Sequence, residues 1–238
     1  APQTRRQLLR QTVAGGGVLA LAGCTTPNLP GLSDGESVPK QFTNDAYTAS
    51  YTTAGHWLLE GHDGGRTSNA ASTVPSGDVD VAWLRRPGKD PHSATAPLAG
   101  PDRVYIAYSE SPDDAEHSEA YLAGFDAQSG EQQIQMDLGT GRAVGLALVD
   151  ETLLAVTRGP DYEEATLTAL ARGDGSTQWT DTIPDVTGSP AVVDGTCYLA
   201  TRDKDNAVYA YTLDGTQQWR TAIEGECYTA PCADSEGV

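Results

Sequence analysis

The chain repeats itself, and that constrains its fold more than any other feature. The first copy runs Thr95-Ala96-Pro97-Leu98-Ala99-Gly100, Arg103-Val104-Tyr105-Ile106-Ala107, Ala120-Tyr121-Leu122-Ala123-Gly124-Phe125-Asp126 and Ser129-Gly130-Glu131. The second runs Leu146-Ala147-Leu148-Val149-Asp150, Thr152-Leu153-Leu154-Ala155-Val156, Ala165-Thr166-Leu167-Thr168-Ala169-Leu170 and Asp174-Gly175-Ser176-Thr177-Gln178-Trp179. The third runs Gly188-Ser189-Pro190-Ala191-Val192-Val193-Asp194-Gly195, Thr196-Cys197-Tyr198-Leu199-Ala200, Ala207-Val208-Tyr209-Ala210-Tyr211 and Asp214-Gly215-Thr216-Gln217-Gln218-Trp219. A fourth opens at Thr229-Ala230-Pro231-Cys232-Ala233-Asp234.

Each copy holds four short apolar runs parted by turn residues, at the ~40-residue period of a propeller blade. Val193-Asp194-Gly195-Thr196 and Leu213-Asp214-Gly215-Thr216 carry the Asp-Gly chemistry of tight hairpins. The expectation is an all-β chain: an incomplete β-propeller of four-stranded antiparallel blades, about four blades' worth, with a further outer strand near Val79–Trp83. A tryptophan closes the fourth run at Trp83, Trp179 and Trp219, with Ile134 in its place once. A large aromatic at a fixed point of each unit is expected to pack between blades. Pro97, Pro190 and Pro231 likewise mark one position of the repeat.

These residues resemble the PQQ-like (quinoprotein-like) repeat propellers, a group that includes BamB-like outer-membrane assembly factors. The third copy is the nearest to their repeat, through Ser189, Pro190, Asp194, Gly195, Tyr198, Val208, Tyr209, Ala210, Asp214, Gly215 and Trp219. His56-Trp57, Gly61-His62-Asp63-Gly64-Gly65-Arg66-Thr67 and Val81-Ala82-Trp83 are similar to the lead-in before such a first blade. The resemblance spans residues 55–238. It implies seven or eight blades in a complete relative, so this sequence is expected to be a fragment of a longer protein.

The first 54 residues read differently. Thr4-Arg5-Arg6-Gln7-Leu8-Leu9-Arg10 resembles a twin-arginine export motif built on Arg5 and Arg6. The apolar run Val13–Ala22 that follows is shorter than the ~20 residues a bilayer span needs. Leu21-Ala22-Gly23-Cys24 then looks like a lipobox, in which Cys24 takes a diacylglyceryl group. Two acyl chains suffice for stable anchoring. Residues 1–23 are therefore expected to be a signal peptide and 24–54 a tether, poor in large apolar groups and too polar to offset its ordering entropy. The remainder, 55–238, is the propeller. The expected location is the outer face of the cytoplasmic membrane.

Charge narrows the partners. The chain carries 33 Asp plus Glu against 15 Lys plus Arg, a formal net charge of −18. Its lysines are Lys40, Lys89 and Lys204 alone. A dispersed acidic surface repels itself unless salt screens it, and this composition fits a halophilic protein of haloarchaeal type. It also argues against nucleic acid, since no basic stripe is present to neutralise phosphates.

Candidate chemistry is sparse. The strand 2–3 loop Ser109–Glu119 gathers Glu110, Asp113, Asp114, Glu116, His117 and Glu119, but in a chain acidic throughout it reads as a solvated loop before a cation site. Gly61–Gly65 lacks the Gly-Lys-Ser/Thr of a phosphate loop. His56, His62, Cys227 and Cys232 could supply four zinc ligands only by an unusual ordering. Beyond Cys24, Cys197, Cys227 and Cys232 are odd in number, and a Cys227–Cys232 disulfide is one conceivable pairing. No Gly-x-Ser-x-Gly elbow occurs, nor the adjacent Cys-Cys pair of quinone-dependent dehydrogenases. The expectation is a non-catalytic binding or assembly scaffold with protein partners at the envelope, holding no cofactor. The alternative is a PQQ-dependent dehydrogenase or part of one, which would need the quinone and calcium.

Overall fold

The structure, a computed structural model, describes residues 58–61, 66, 81–112, 116–234 and 236–238. The twin-arginine motif, Cys24 and the tether lie outside the described residues, as do His56, His62, Asp113 and Asp114. The described residues contain no helix. They form three antiparallel sheets, each a blade.

The first blade comprises β1 (Pro91–Ala94), β2 (Leu98–Ala99), β3 (Arg103–Glu110), β4 (Glu119–Asp126) and β5 (Gln132–Thr140). The second is β6 (Arg142–Val149), β7 (Thr152–Arg158), β8 (Glu164–Ala171) and β9 (Thr177–Pro184). The third is β10 (Ala191–Val193), β11 (Thr196–Ala200), β12 (Ala207–Thr212) and β13 (Gln217–Ala222). Within each blade the strands pair in chain order, except that β1 and β2 both pair with β3 and so form one interrupted inner strand.

Proline explains the interruption. Pro97 has no N–H for the ladder. Thr95 bridges the gap, its N–H donating to the Ala107 carbonyl at 2.8 Å and its hydroxyl accepting from the Ala107 N–H at 3.2 Å. The third blade breaks its inner strand at Ser189-Pro190 in the same way. Val186 pairs with Thr201 before the break, and β10 pairs with β11 after it. In the second blade Leu146 holds the proline's place, its N–H donates to the Ser189 hydroxyl at 3.4 Å, and β6 runs unbroken.

Burial grades from inside to outside. β7 is buried on both faces, as a strand sandwiched between neighbouring blades must be, whereas β13 is exposed along its length. One core lies between the first and second blades, with Leu98, Tyr105, Ala107 and Leu122 against Leu146, Leu148, Leu153 and Leu170. A second lies between the second and third, with Leu154, Val156 and Leu167 against Cys197, Leu199, Tyr209 and Tyr211. The lead-in adds to the second blade: Leu59 bridges Ala147, and the Leu58 carbonyl accepts from the Leu148 N–H at 2.8 Å.

Two expected strands are not formed. Val81–Trp83 has no strand pairing, and Val79 is outside the described residues. The fourth copy's Thr229–Asp234 also has none, although its turn is closed. There the Asp234 carboxylate accepts from the N–H groups of Glu236 and Gly237 at 2.8 and 3.0 Å. Among the described residues neither segment has a neighbouring strand, so neither has a ladder to join.

Candidate functional site

The side chains that the repeat singles out lie at the seams between blades. Ile134, Trp179 and Trp219 occupy one register position, opposite Gly124, Ala169 and Ala210. In all three sheets a bulge follows immediately, between Gly124 and Phe125, Ala169 and Leu170, and Ala210 and Tyr211. Bulges re-aim side chains, and these sit where each outer-strand residue meets the next blade.

The receiving surface is the strand 3–4 turn. Trp179 donates through Nε1 to the Leu213 carbonyl at 2.9 Å, and its indole lies on Gly215. Gly215 has φ +90°, and a Cβ there would come within 2.8 Å of the ring. Only glycine meets both demands without strain. Trp83 does the same two blades earlier, on the turn of the first blade, with Nε1 on the Ala127 carbonyl at 3.0 Å and the ring on Gly130. Between the first and second blades Ile134 and Met136 together fill the indole's place against Gly175. Trp219 lies against Tyr198, with ring centroids 5.8 Å apart, and remains 37% exposed. Among the described residues no turn covers it.

An aspartate organises each of these turns. Asp126 accepts from the N–H groups of Gln128 and Ser129 and from the Ser129 hydroxyl. Asp174 accepts from the Ser176 N–H and hydroxyl, and Asp214 from the Thr212 hydroxyl and the Thr216 N–H. These donors hold all three carboxyls below the ordinary 3.8. The Ser129 N–H leads at Asp126, the Ser176 N–H at Asp174 and the Thr212 hydroxyl at Asp214. A carboxyl lowered by folding contributes stability that is present above its unfolded pKa and is lost as pH falls through the folded one. The gap in melting midpoint between the wild type and an Asp126→Asn, Asp174→Asn, Asp214→Asn variant is therefore expected to be open at about pH 6 and to close below 3.8. A gap of constant size across that range would contradict it.

The second seam carries an ion triad that the repeat pattern does not announce. Asp185, in the connection from β9 to β10, is 1% exposed. Arg158 Nε lies 2.5 Å from its Oδ1 and Arg202 Nε 2.7 Å from its Oδ2. The Arg158 approach is a charge contact without hydrogen-bond alignment. The aligned donation from Arg158 runs from Nη2 to the Val186 carbonyl at 2.7 Å. Arg158 ends β7 and Arg202 follows β11, so one buried carboxylate joins two blades. Nothing in a chain of net charge −18 distinguishes Asp185 from its other acids. The available signal was its place beside Val186 at a blade junction.

The remaining sequence candidates separate. Pro97 and Pro190 interrupt inner strands, and Pro231 opens the fourth copy's inner segment. Cys197 is buried, and burial pushes its thiol up to about 12. Cys227 and Cys232 are both free, so the conceivable disulfide is not formed. Cys232 is exposed and off any strand, and the Cys227 thiol instead donates to the Thr229 carbonyl at 3.3 Å. Ser118, in the β3–β4 loop, meets Nε2 of His92 on β1 through its hydroxyl at 3.2 Å. No three His, Cys, Asp or Glu side chains among the described residues gather as metal ligands would.

Three consecutive four-stranded blades, with matched bulges and turn-docked outer residues, define a β-propeller of PQQ-like repeats. The chain belongs to the family described as outer membrane protein assembly factor BamB, whose profile matches residues 118–236, half of the chain. A solved structure, that of BamB from Moraxella catarrhalis, is similar at 17% identity and a TM-score of 0.38, over 55% of this chain and 50% of that one. The chain thus spans about half the length of that protein. No curated protein sequence matches it.

Proposed function

We propose that this chain works as an exported, lipid-anchored propeller, a non-catalytic scaffold for protein binding or assembly on the outer face of the membrane. The observation that carries the reading is family membership across residues 118–236, in a family whose description is an assembly factor. Support for the anchor comes from Arg5, Arg6 and the Leu21–Cys24 lipobox. The fold suits the role. Its blades pack on one another through apolar seams, while the connections β3–β4, β7–β8 and β11–β12 vary in length and composition. Loops on a rigid scaffold are where recognition residues concentrate.

Tyr162 is the exposed aromatic of the β7–β8 loop, 45% accessible. A photo-crosslinking residue at Tyr162 is expected to give a discrete protein adduct in membranes kept at high salt. The same probe at Asp194, in the β10–β11 turn, is expected to give none. Indistinguishable patterns from the two positions, or no adduct from either, would remove the scaffold reading. High salt is used because screening should favour so acidic a surface, and a fold indifferent to salt would remove the halophilic reading.

A further inference from the structure

Arg66, in the lead-in, touches two copies of the repeat at once. Its Nη2 donates to the Ser189 carbonyl at 2.8 Å, on the inner segment of the third blade. Its Nε donates to the Pro231 carbonyl at 2.9 Å, on the inner segment of the fourth copy. Nη1 turns back to the Glu60 carbonyl at 3.2 Å and to the Glu60 carboxylate at 3.2 Å. The side chain is 16% exposed, so these bonds are largely shielded from water. Gly61, at φ +77°, lies so close that a Cβ would come within 2.8 Å of the Arg66 Cβ, and this packs the backbone onto the arginine stem.

The fourth copy's inner segment makes no strand ladder, yet it lies against the third blade. Beyond Arg66, Ala233 of the segment is buried, 4% exposed, and two further contacts hold it. The Thr187 hydroxyl donates to the Thr229 carbonyl at 2.7 Å, and Ala230 Cβ lies 3.2 Å from where a Cβ on Gly188 would sit. We propose that Arg66 is a clip: its guanidinium seats the inner segment of the fourth copy on the third, in place of the ladder bonds that segment does not make. A planar fork with fixed donor directions spans two carbonyls on separate segments. A lysine ammonium, as a point charge, does not hold both in that geometry. The lead-in thereby sets the position of a blade far from it in sequence, while Leu58 and Leu59 hold its other end on β6.

Cys232, exposed and next to Pro231, provides the reporter. In a Cys24→Ala, Cys227→Ser background, where the serine hydroxyl still donates to Thr229, a nitroxide label reacts at Cys232. Cys197 is buried, with its thiol pushed up to about 12, and stays unlabelled. The label is expected to be ordered with Arg66 present. In Arg66→Ala its mobile fraction should rise about tenfold, the effect of losing a charge-assisted hydrogen bond, with the near-ultraviolet dichroism of the tryptophans unchanged. An unchanged label spectrum in that variant would overturn the proposal. So would equal loosening of all three sheets, which marks a general stabiliser. If Arg66→Ala does not fold, Arg66→Lys decides: a raised mobile fraction supports the clip, and a wild-type spectrum overturns it.

Discussion

Replacing Asp185 with alanine is expected to cost about 3 kcal/mol of folding stability, the lower end of the range for breaking a buried ion pair. Asp185 is 1% exposed and is flanked by Arg158 Nε at 2.5 Å and Arg202 Nε at 2.7 Å. Its removal leaves two guanidinium groups facing each other across an emptied site. Their side chains are 15% and 24% exposed, so water reaches part of each charge, and this sets the cost at the low end. Asp203, 51% exposed and 3.4 Å from Arg202, serves only one of the two arginines. Denaturant unfolding reads the effect as a lower midpoint with an unchanged slope. Asp185→Asn keeps the shape and loses the charge, and should cost less than alanine but more than a surface substitution. A loss below about 1 kcal/mol for the alanine variant, the range of exposed pairs, would show that the triad does not join the blades.

Two tryptophans of the same repeat position are expected to behave differently. Trp179→Ala should cost about 3 kcal/mol, as large-to-small changes at packed aromatics do. It removes the indole lying on Gly215 and the Nε1 bond to the Leu213 carbonyl. Trp219→Ala should cost about 1 kcal/mol or less, because Trp219 is 37% exposed and loses mainly its contact with Tyr198. The two residues share register, bulge and sequence context. A larger loss at Trp179 reports the docking turn, with the Tyr198 contact of Trp219 counting in the opposite direction. Equal costs, measured by denaturant unfolding, would mean that the turn contributes nothing beyond the tryptophan's own sheet.

Much of the architecture was legible in the sequence because the repeat states it several times over. The Asp-Gly turns, the apolar runs and the recurring tryptophan each appear in more than one copy, and they agree with one another. The structure adds what repetition cannot carry. The bulge that aims each outer residue is a property of two paired strands, and no single run of residues displays it. Met136 joins Ile134 in replacing the indole, although only Ile134 stands at the aligned position. The strands expected near Val79–Trp83 and in the fourth copy required partners to form, and pairing is not a local property. The roles of Asp185, Arg158, Arg202 and Arg66 come from long-range geometry. Each occurs once, so no pattern marks it. The free state of Cys227 and Cys232 was open for the same reason, since spacing does not decide a disulfide.

The reading of these blades as an envelope scaffold depends on Cys24 as the point of attachment. Fractionation of cells expressing the full chain and its Cys24→Ala variant tests this most directly. The account predicts that the wild type sediments with membranes, resists extraction by salt, and carries the mass of a diacylglyceryl group at Cys24. The variant should appear in the soluble extracellular fraction with its blades still folded. A wild-type protein found unmodified in the cytoplasm, or a Cys24→Ala variant that stays on the membrane, would contradict it.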